Sequence, residues 1–315
     1  MRDALLSIGH HVGTSALEWL DGAAHLFAFP PDVPVLEVNT NRHVKPLAEF
    51  ALAGSIAVRE GAIGSRQAQI SPVLMDYAWN ALGNGSFLHE LQLAMPVETY
   101  PMEIYAMFTR AGYRHPELEE LLAHLGRLRA AHARELLPNR QLALTNSARL
   151  IGLEAHADEA ELVGRTWLGN ASEPWALDFA TAYAMTHTVF HLSDWAGQPG
   201  RLPPAMVDYL GRWLPVWLDV YREAQQWDLV GELLMVDLCL PHPEFPADTW
   251  IAYATAQNED GLMPFGSEAP PEGTEDAFRN YYHPTVVAAV AGTLLVSRGI
   301  STLTGATDSR ETVGG

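Results

Sequence analysis

The stretch Tyr183 to Gly197 reads YAMTHTVFHLSDWAG and holds the densest set of groups able to do chemistry. Each helical residue advances about 100°, so His187 and His191 stand about 40° apart around a helix. Asp194 falls about 20° to the other side of His187, provided the helix persists that far. Two neutral imidazoles one turn apart, with a carboxylate beside them, can hold one divalent metal such as zinc or iron. Without metal, His187 is a general base and Asp194 the carboxylate that orients it and steadies its imidazolium. A third reading is structural, with both rings hydrogen-bonded to neighbouring helices. Metalloprotease chemistry is excluded, because it needs a glutamate directly after the first histidine and Thr188 stands there.

His283 is the second candidate, in Tyr281-Tyr282-His283-Pro284-Thr285. It precedes a proline at the expected opening of an apolar helix, which places its ring at a helix mouth, with Tyr281 or Tyr282 as proton donor or anion stabiliser; the structural alternative is that His283 caps or packs there. A third group is Asp228, Glu232 and Asp237. The first two are one turn apart, while Asp237 points about 140° from Glu232, so the three do not share one site. Glu232, between Val230 and Leu233, is the expected buried acid, with a raised pKa.

These residues need helices to position them. Apolar residues recur at three and four spacing almost throughout, which predicts an all-α protein. Helices are expected at Asp3–Leu20, Val44–Gly61, Pro72–Leu82, Met102–Ala111, Pro116–Leu137 and Gln141–Glu154. Further along they are expected at Pro174–Ser193, Pro204–Gln226, Leu229–Leu240, Asp248–Gln257 and Glu275–Arg298. The one candidate strand is Val33 to Val38. The polar segment 158–173 suggests a division into an N-terminal helical half, 1–157, and a C-terminal half, 174–301, that carries the site. One continuous domain fits equally well. A Pro/Gly-rich connection at 261–273 has the length of a lid or binding loop, and 302–315 reads as a flexible tail.

Composition narrows the function. The 315 residues carry 38 acidic and 19 basic side chains, a formal net charge of -19, which disfavours nucleic acid and anionic membrane surfaces. The single cysteine, Cys239, excludes an internal disulfide framework and a multi-cysteine zinc site. The N-terminus lacks the unbroken apolar run of a signal peptide. The apolar stretch Thr285 to Val296 is shorter than the roughly 20 residues of a membrane span. A cytoplasmic protein is expected, with a small-molecule substrate and no nucleic-acid or membrane partner, a homodimer being compatible with the chain. No dinucleotide, Walker or nucleophile-elbow motif is present, nor the aspartate-rich segment of ordinary terpene synthases.

Two resemblances sharpen this. The run Gln257-Asn258-Glu259-Asp260-Gly261, followed by Tyr281 to Thr285, resembles the Q-x-x-D-G turn and Y-x-x-T helix of α/α-barrel cyclases and glycan-active enzymes. It implies an α/α-toroid or helical barrel of paired helices around a central pocket. The run Tyr183 to Trp195 resembles the Y-A-L-T-H-x-x-F-Y-x-T-D-F-G signature of a family of uncharacterised actinobacterial proteins, a domain of unknown function often met in natural-product gene clusters. This second resemblance implies a helical fold over most of the chain and a biosynthetic setting, with no defined activity. His191 stands where that signature has tyrosine, which weakens the two-histidine metal set, and Ala196 is inserted before Gly197.

The expected function is a biosynthetic enzyme of specialised metabolism working by acid–base chemistry: cyclisation, isomerisation or elimination. In it His187 is the base, Asp194 its orienting group, and His283 with Tyr282 the facing acid. The alternatives are a metalloenzyme using His187, His191 and Asp194, and a non-catalytic binding or scaffold protein.

Overall fold

The computed structural model describes residues 2–29, 33–61, 65–155, 157–268 and 274–311, and among them there is no strand. The helices are α1 (Arg2–Gly22), α2 (Lys45–Glu60), α3 (Arg66–Ala81), α4 (Ser86–Ala94), α5 (Tyr100–Arg110), α6 (Pro116–Gly126) and α7 (Arg129–His132). They continue with α8 (Pro138–Ile151), α9 (Glu159–Gly164), α10 (Phe179–Ser193), α11 (Pro204–Glu223), α12 (Trp227–Cys239), α13 (Ala247–Ala256) and α14 (Thr274–Glu311). The all-α expectation holds. This packing does not by itself define a ring of paired helices.

Local chemistry sets the differences from the expected boundaries. Val35–Glu37 is a single 3-10 turn, which removes the candidate strand. It follows Pro34, which has no amide to give a ladder. Helix α3 begins well before Pro72, because the Ser65 side chain accepts from the Ala68 amide and caps it. The helix expected from Pro116 to Leu137 stops at Gly126, a residue that costs a helix about 1 kcal/mol relative to alanine. Pro174–Ala176 forms its own 3-10 turn, and α10 starts after Asp178, whose carboxylate accepts from the Thr181 amide at 2.7 Å. Helix α9 lies inside the segment expected to be an irregular linker. Helix α14 runs on to Glu311, through most of the segment expected as a tail. Of the connection 261–273, residues 269–273 lie outside the described residues.

Two helices are buried nearly all round. Every residue of α12 from Asp228 to Cys239 is buried, and so is every residue of α14 from Val286 through Leu295. Helix α14 is held by α1, α2 and α12. The apolar part of α14 is longer than the sequence reading gave: Ala277–Thr302, 26 residues of mean hydropathy 1.4, is long and apolar enough to cross a membrane. Its burial against three other helices explains that apolarity without a bilayer.

Helices α1 and α14 meet at glycines. A Cβ built on Gly292 would lie 2.4 Å from the Gly13 nitrogen and 2.6 Å from the Gly9 carbonyl oxygen, all rigid backbone. Overpacking costs about 1–3 kcal/mol where side chains can adjust; backbone atoms cannot turn aside as a rotamer does. We therefore expect Gly292→Ala to lower stability by at least about 2 kcal/mol, read as the shift of the urea midpoint at unchanged slope. An effect within about 0.5 kcal/mol would mean that the two helices are not in contact there.

Candidate functional site

Four helices converge on a partly open polar cluster. Helix α10 brings Tyr183, Thr186 and His187; α12 brings Asp228 and Glu232; α14 brings Tyr282 and His283; α2 brings Glu49. The order of assembly follows from periodicity. Asp228 and Glu232 are one turn apart on α12, as their spacing predicts, and are 1% and 2% exposed. Isolated carboxylates do not survive at such burial without partners, and each partner comes from another helix.

Glu232 is the hub. One of its oxygens, Oε2, accepts from the Thr186 hydroxyl and lies 3.8 Å from His187 Nδ1. The other, Oε1, lies 3.8 Å from His283 Nε2. The two histidines singled out from sequence thus flank the two oxygens of a single buried carboxylate. His283 Nδ1 hydrogen-bonds Glu49 Oε2 at 3.0 Å, and its Nε2 is 3.5 Å from Asp228 Oδ1. The second Asp228 oxygen accepts from the Tyr183 phenol. The Tyr282 phenol hydrogen-bonds Glu49.

The charges can be read from these contacts. Burial alone would lower the His283 pKa, but Glu49 and Asp228 hold it well above the ordinary 6.5, so the ring is an imidazolium at neutral pH. Burial would raise Glu49, yet His283, Lys45 and the Tyr282 phenol hold it below its ordinary value. Asp228 is pushed up to about 6 by burial, with Glu232 adding to the effect against the pull of His283 and Tyr183. At neutral pH the cluster therefore holds a proton on His283, with a second within reach at Asp228.

His187 has a fixed tautomer. Its Nδ1 is 2.8 Å from the Tyr183 carbonyl oxygen, which only accepts, so Nδ1 carries the hydrogen. In the neutral form of the ring the lone pair is on Nε2, and the side chain is 36% exposed. His283 is 29% exposed. Two partly exposed imidazole rings, His187 and His283, sit on either side of one carboxylate.

Asp194 is elsewhere, and its expected role as the orienting group of His187 is corrected. Helix α10 ends at Ser193, and Asp194, Trp195 and Ala196 all take left-handed backbone angles, φ 50°, 52° and 63°. The helical projection that placed Asp194 beside His187 fails at that turn. The carboxylate instead takes the Arg110 guanidinium and the Asn146 amide (3.1 Å) on Oδ1, with Arg59 Nη1 3.5 Å from Oδ2. Arg59 also donates to the Asp194 carbonyl at 2.9 Å and to the Trp195 carbonyl. Asp194 is a buried clamp tying α10 to α2, α5 and α8.

His191 is on the stripe, its ring centroid 6.0 Å from that of His187 and 6.3 Å from Trp195. Burial, with His187 and Arg140 beside it, holds its pKa well below 6.5, so it is neutral. With Asp194 committed to arginine, the His187, His191 and Asp194 metal set loses its carboxylate. Among the described residues no group of three or more His, Cys, Asp or Glu side chains is placed to hold a metal ion. His283 is also not at a helix mouth: it and Pro284 lie inside α14. Tyr282 lies beside Glu49, the carboxylate that also pairs with His283.

Sequence reasoning missed Glu49 and Thr186. Glu49 is 234 residues from His283, and its only local mark is the chain's single lysine, Lys45, one turn before it at 3.7 Å. Asp237, the third acid of α12, faces away and accepts from the Glu244 amide at 2.9 Å and the Phe245 amide at 3.1 Å.

A pH dependence follows. Asp228 holds a proton to about pH 6 in the folded protein, against an ordinary 3.8. The stability this proton contributes is complete below about pH 4 and lost as pH rises through 6. Asp228→Asn should therefore flatten the fall in melting temperature between pH 4 and 6. An unchanged slope would show that Asp228 is ionised throughout. His191 runs the other way, because its folded pKa is depressed, so its contribution is lost as pH falls below 6.5.

An all-helical protein with a solvent-reachable histidine pair sharing one buried carboxylate is the class that fold and site define. The chain belongs to the family described as a domain of unknown function, DUF6895, which matches residues 13–293. No curated protein and no solved structure matches it. The match takes in every residue of the cluster.

Proposed function

We propose that the protein is an enzyme of small-molecule biosynthesis that moves protons, by cyclisation, isomerisation or elimination. The observation that carries this reading is the pair His187 and His283 on opposite oxygens of Glu232. His187 Nε2 takes a proton from the substrate. His283, held charged by Glu49 and Asp228, gives one back. A ring held charged by neighbouring carboxylates, beside a second imidazole on the same carboxylate, suits an acid facing a base. Glu232 couples the two, because either ring gaining charge is stabilised by the same carboxylate, and Thr186 fixes where that carboxylate points.

The setting belongs to the same proposal: a cytoplasmic protein of an actinobacterial natural-product pathway, acting on a small molecule held where helices meet. The resemblance of the α10 run to the signature described above supports it. The test is to delete the gene, identify the metabolite that accumulates, and incubate it with purified protein. Conversion that fails in Glu232→Gln, while that variant still melts cooperatively, is the expected result. A deletion strain with an unchanged metabolite profile would favour the non-catalytic scaffold and overturn the proposal.

A further inference from the structure

A cleft of about 450 Å³ opens between α6, α8 and α9, and none of the residues lining it belongs to the histidine cluster. That volume falls in the roughly 300–1,000 Å³ range of small-molecule sites. Its inner wall is apolar, with Leu122 and Leu162 at 5% and 3% exposure and Met102 and Leu144 half-buried beside them. Charged groups gather toward its mouth, and their commitments differ. Asp158 accepts from the Ala160 amide at 2.9 Å and the Glu161 amide at 3.3 Å, capping α9. Glu161 pairs with Arg165 at 3.9 Å, and Glu154 is exposed at the rim. Arg127 and Arg134 also line the cleft, and among the described residues neither makes an ion pair. The Arg134 Nε is buried without a hydrogen-bond partner, and burial lowers that guanidinium's pKa despite Glu98 nearby.

A buried donor left unmatched is costly, the more so when charged, and the Arg134 Nε is such a donor, with the exposed Arg127 beside it on the same cleft. An anion arriving in the cleft would meet that need, and the planar guanidinium suits a carboxylate in two-point contact. The apolar inner wall asks for a hydrocarbon portion on the same molecule. We propose that this cleft is a second ligand site, for an amphipathic organic anion: a carboxylate headgroup on Arg134 and Arg127, with its aliphatic or aromatic body against Leu122, Leu144 and Leu162. The inference is independent of the acid–base reading of the histidine cluster.

The probes are decanoate, decanol and decyltrimethylammonium, titrated calorimetrically into the full chain. One decanoate should bind per chain, at least tenfold more tightly than either comparator. Arg134→Met should weaken decanoate tenfold or more, and Ala123→Trp, which fills the cleft from α6, should abolish binding while the melting temperature stays near that of the parent. Equal binding of decanol or the cationic probe would overturn the carboxylate preference. Decanoate binding that survives Ala123→Trp would place it outside the cleft, and no binding at millimolar concentration would remove the site altogether. Should Arg134→Met fail to fold, the comparison of three headgroups on the parent chain still decides.

Discussion

Asp194→Asn is expected to lower the unfolding free energy by about 3–5 kcal/mol, the usual cost of removing one partner of a buried ion pair. The substitution isolates charge from shape. Asparagine is nearly isosteric and tolerates the left-handed region that Asp194 occupies at φ 50°. The backbone contacts of Arg59 with the Asp194 and Trp195 carbonyls can persist. What is lost is the negative charge opposite Arg110, whose side chain is 8% exposed and whose Nε and Nη1 already lack partners. Burial has pushed that guanidinium down to about 10, with Asp194 pulling it back most, against Arg59 and with help from Glu60. Urea unfolding of parent and variant at pH 7 reads the difference directly. A loss below about 1 kcal/mol would place the ion pair in water and undo the account of Asp194 as a clamp. The same experiment separates this role from a catalytic one, in which turnover would fall and stability would not.

His187→Gln should behave in the opposite way. Removing a positioned general base costs about 10²–10⁴-fold in rate, so kcat on the accumulated metabolite should fall by that factor. Glutamine keeps an amide able to donate to the Tyr183 carbonyl, and the native ring is 36% exposed, so little packing is lost. Unfolding free energy should stay within about 0.5 kcal/mol of the parent, as for ordinary surface changes. A comparable drop in stability and activity would make His187 a structural residue. Retained turnover would move the base elsewhere in the cluster.

The fold class was legible because amphipathic periodicity is a local property, repeated in helix after helix. The pairing of Asp228 with Glu232, and of His187 with His191, was legible for the same reason: each pair lies within one helix, where 100° per residue fixes direction. Asp194 was misplaced because that rule applies only while the helix lasts, and the chain leaves it one residue earlier. The inserted Ala196 before Gly197 was the available sign, since three successive left-handed residues occupy that spot. Glu49 was illegible because its partner is on α14, and its one local mark in α2, Lys45, does not point there. Glu232 was recognised as a buried acid; that it joins two histidines from two other helices is tertiary information.

The glycine crossing of α1 and α14 has a consequence for how the chain is made. Gly13 and Gly292 sit at the two edges of the matched domain, residues 13–293, and touch. At translation rates of about 5–20 residues per second, α1 waits roughly a quarter of a minute to a minute before its partner leaves the ribosome. Until then α12 has no α14 to cover it, and Glu49 has no His283. Contacts of such long sequence separation are the slow ones to form, so the nascent chain spends that interval with apolar helix faces open to chaperones or to one another. A message truncated short of α14 would then yield an aggregation-prone fragment rather than a smaller working protein.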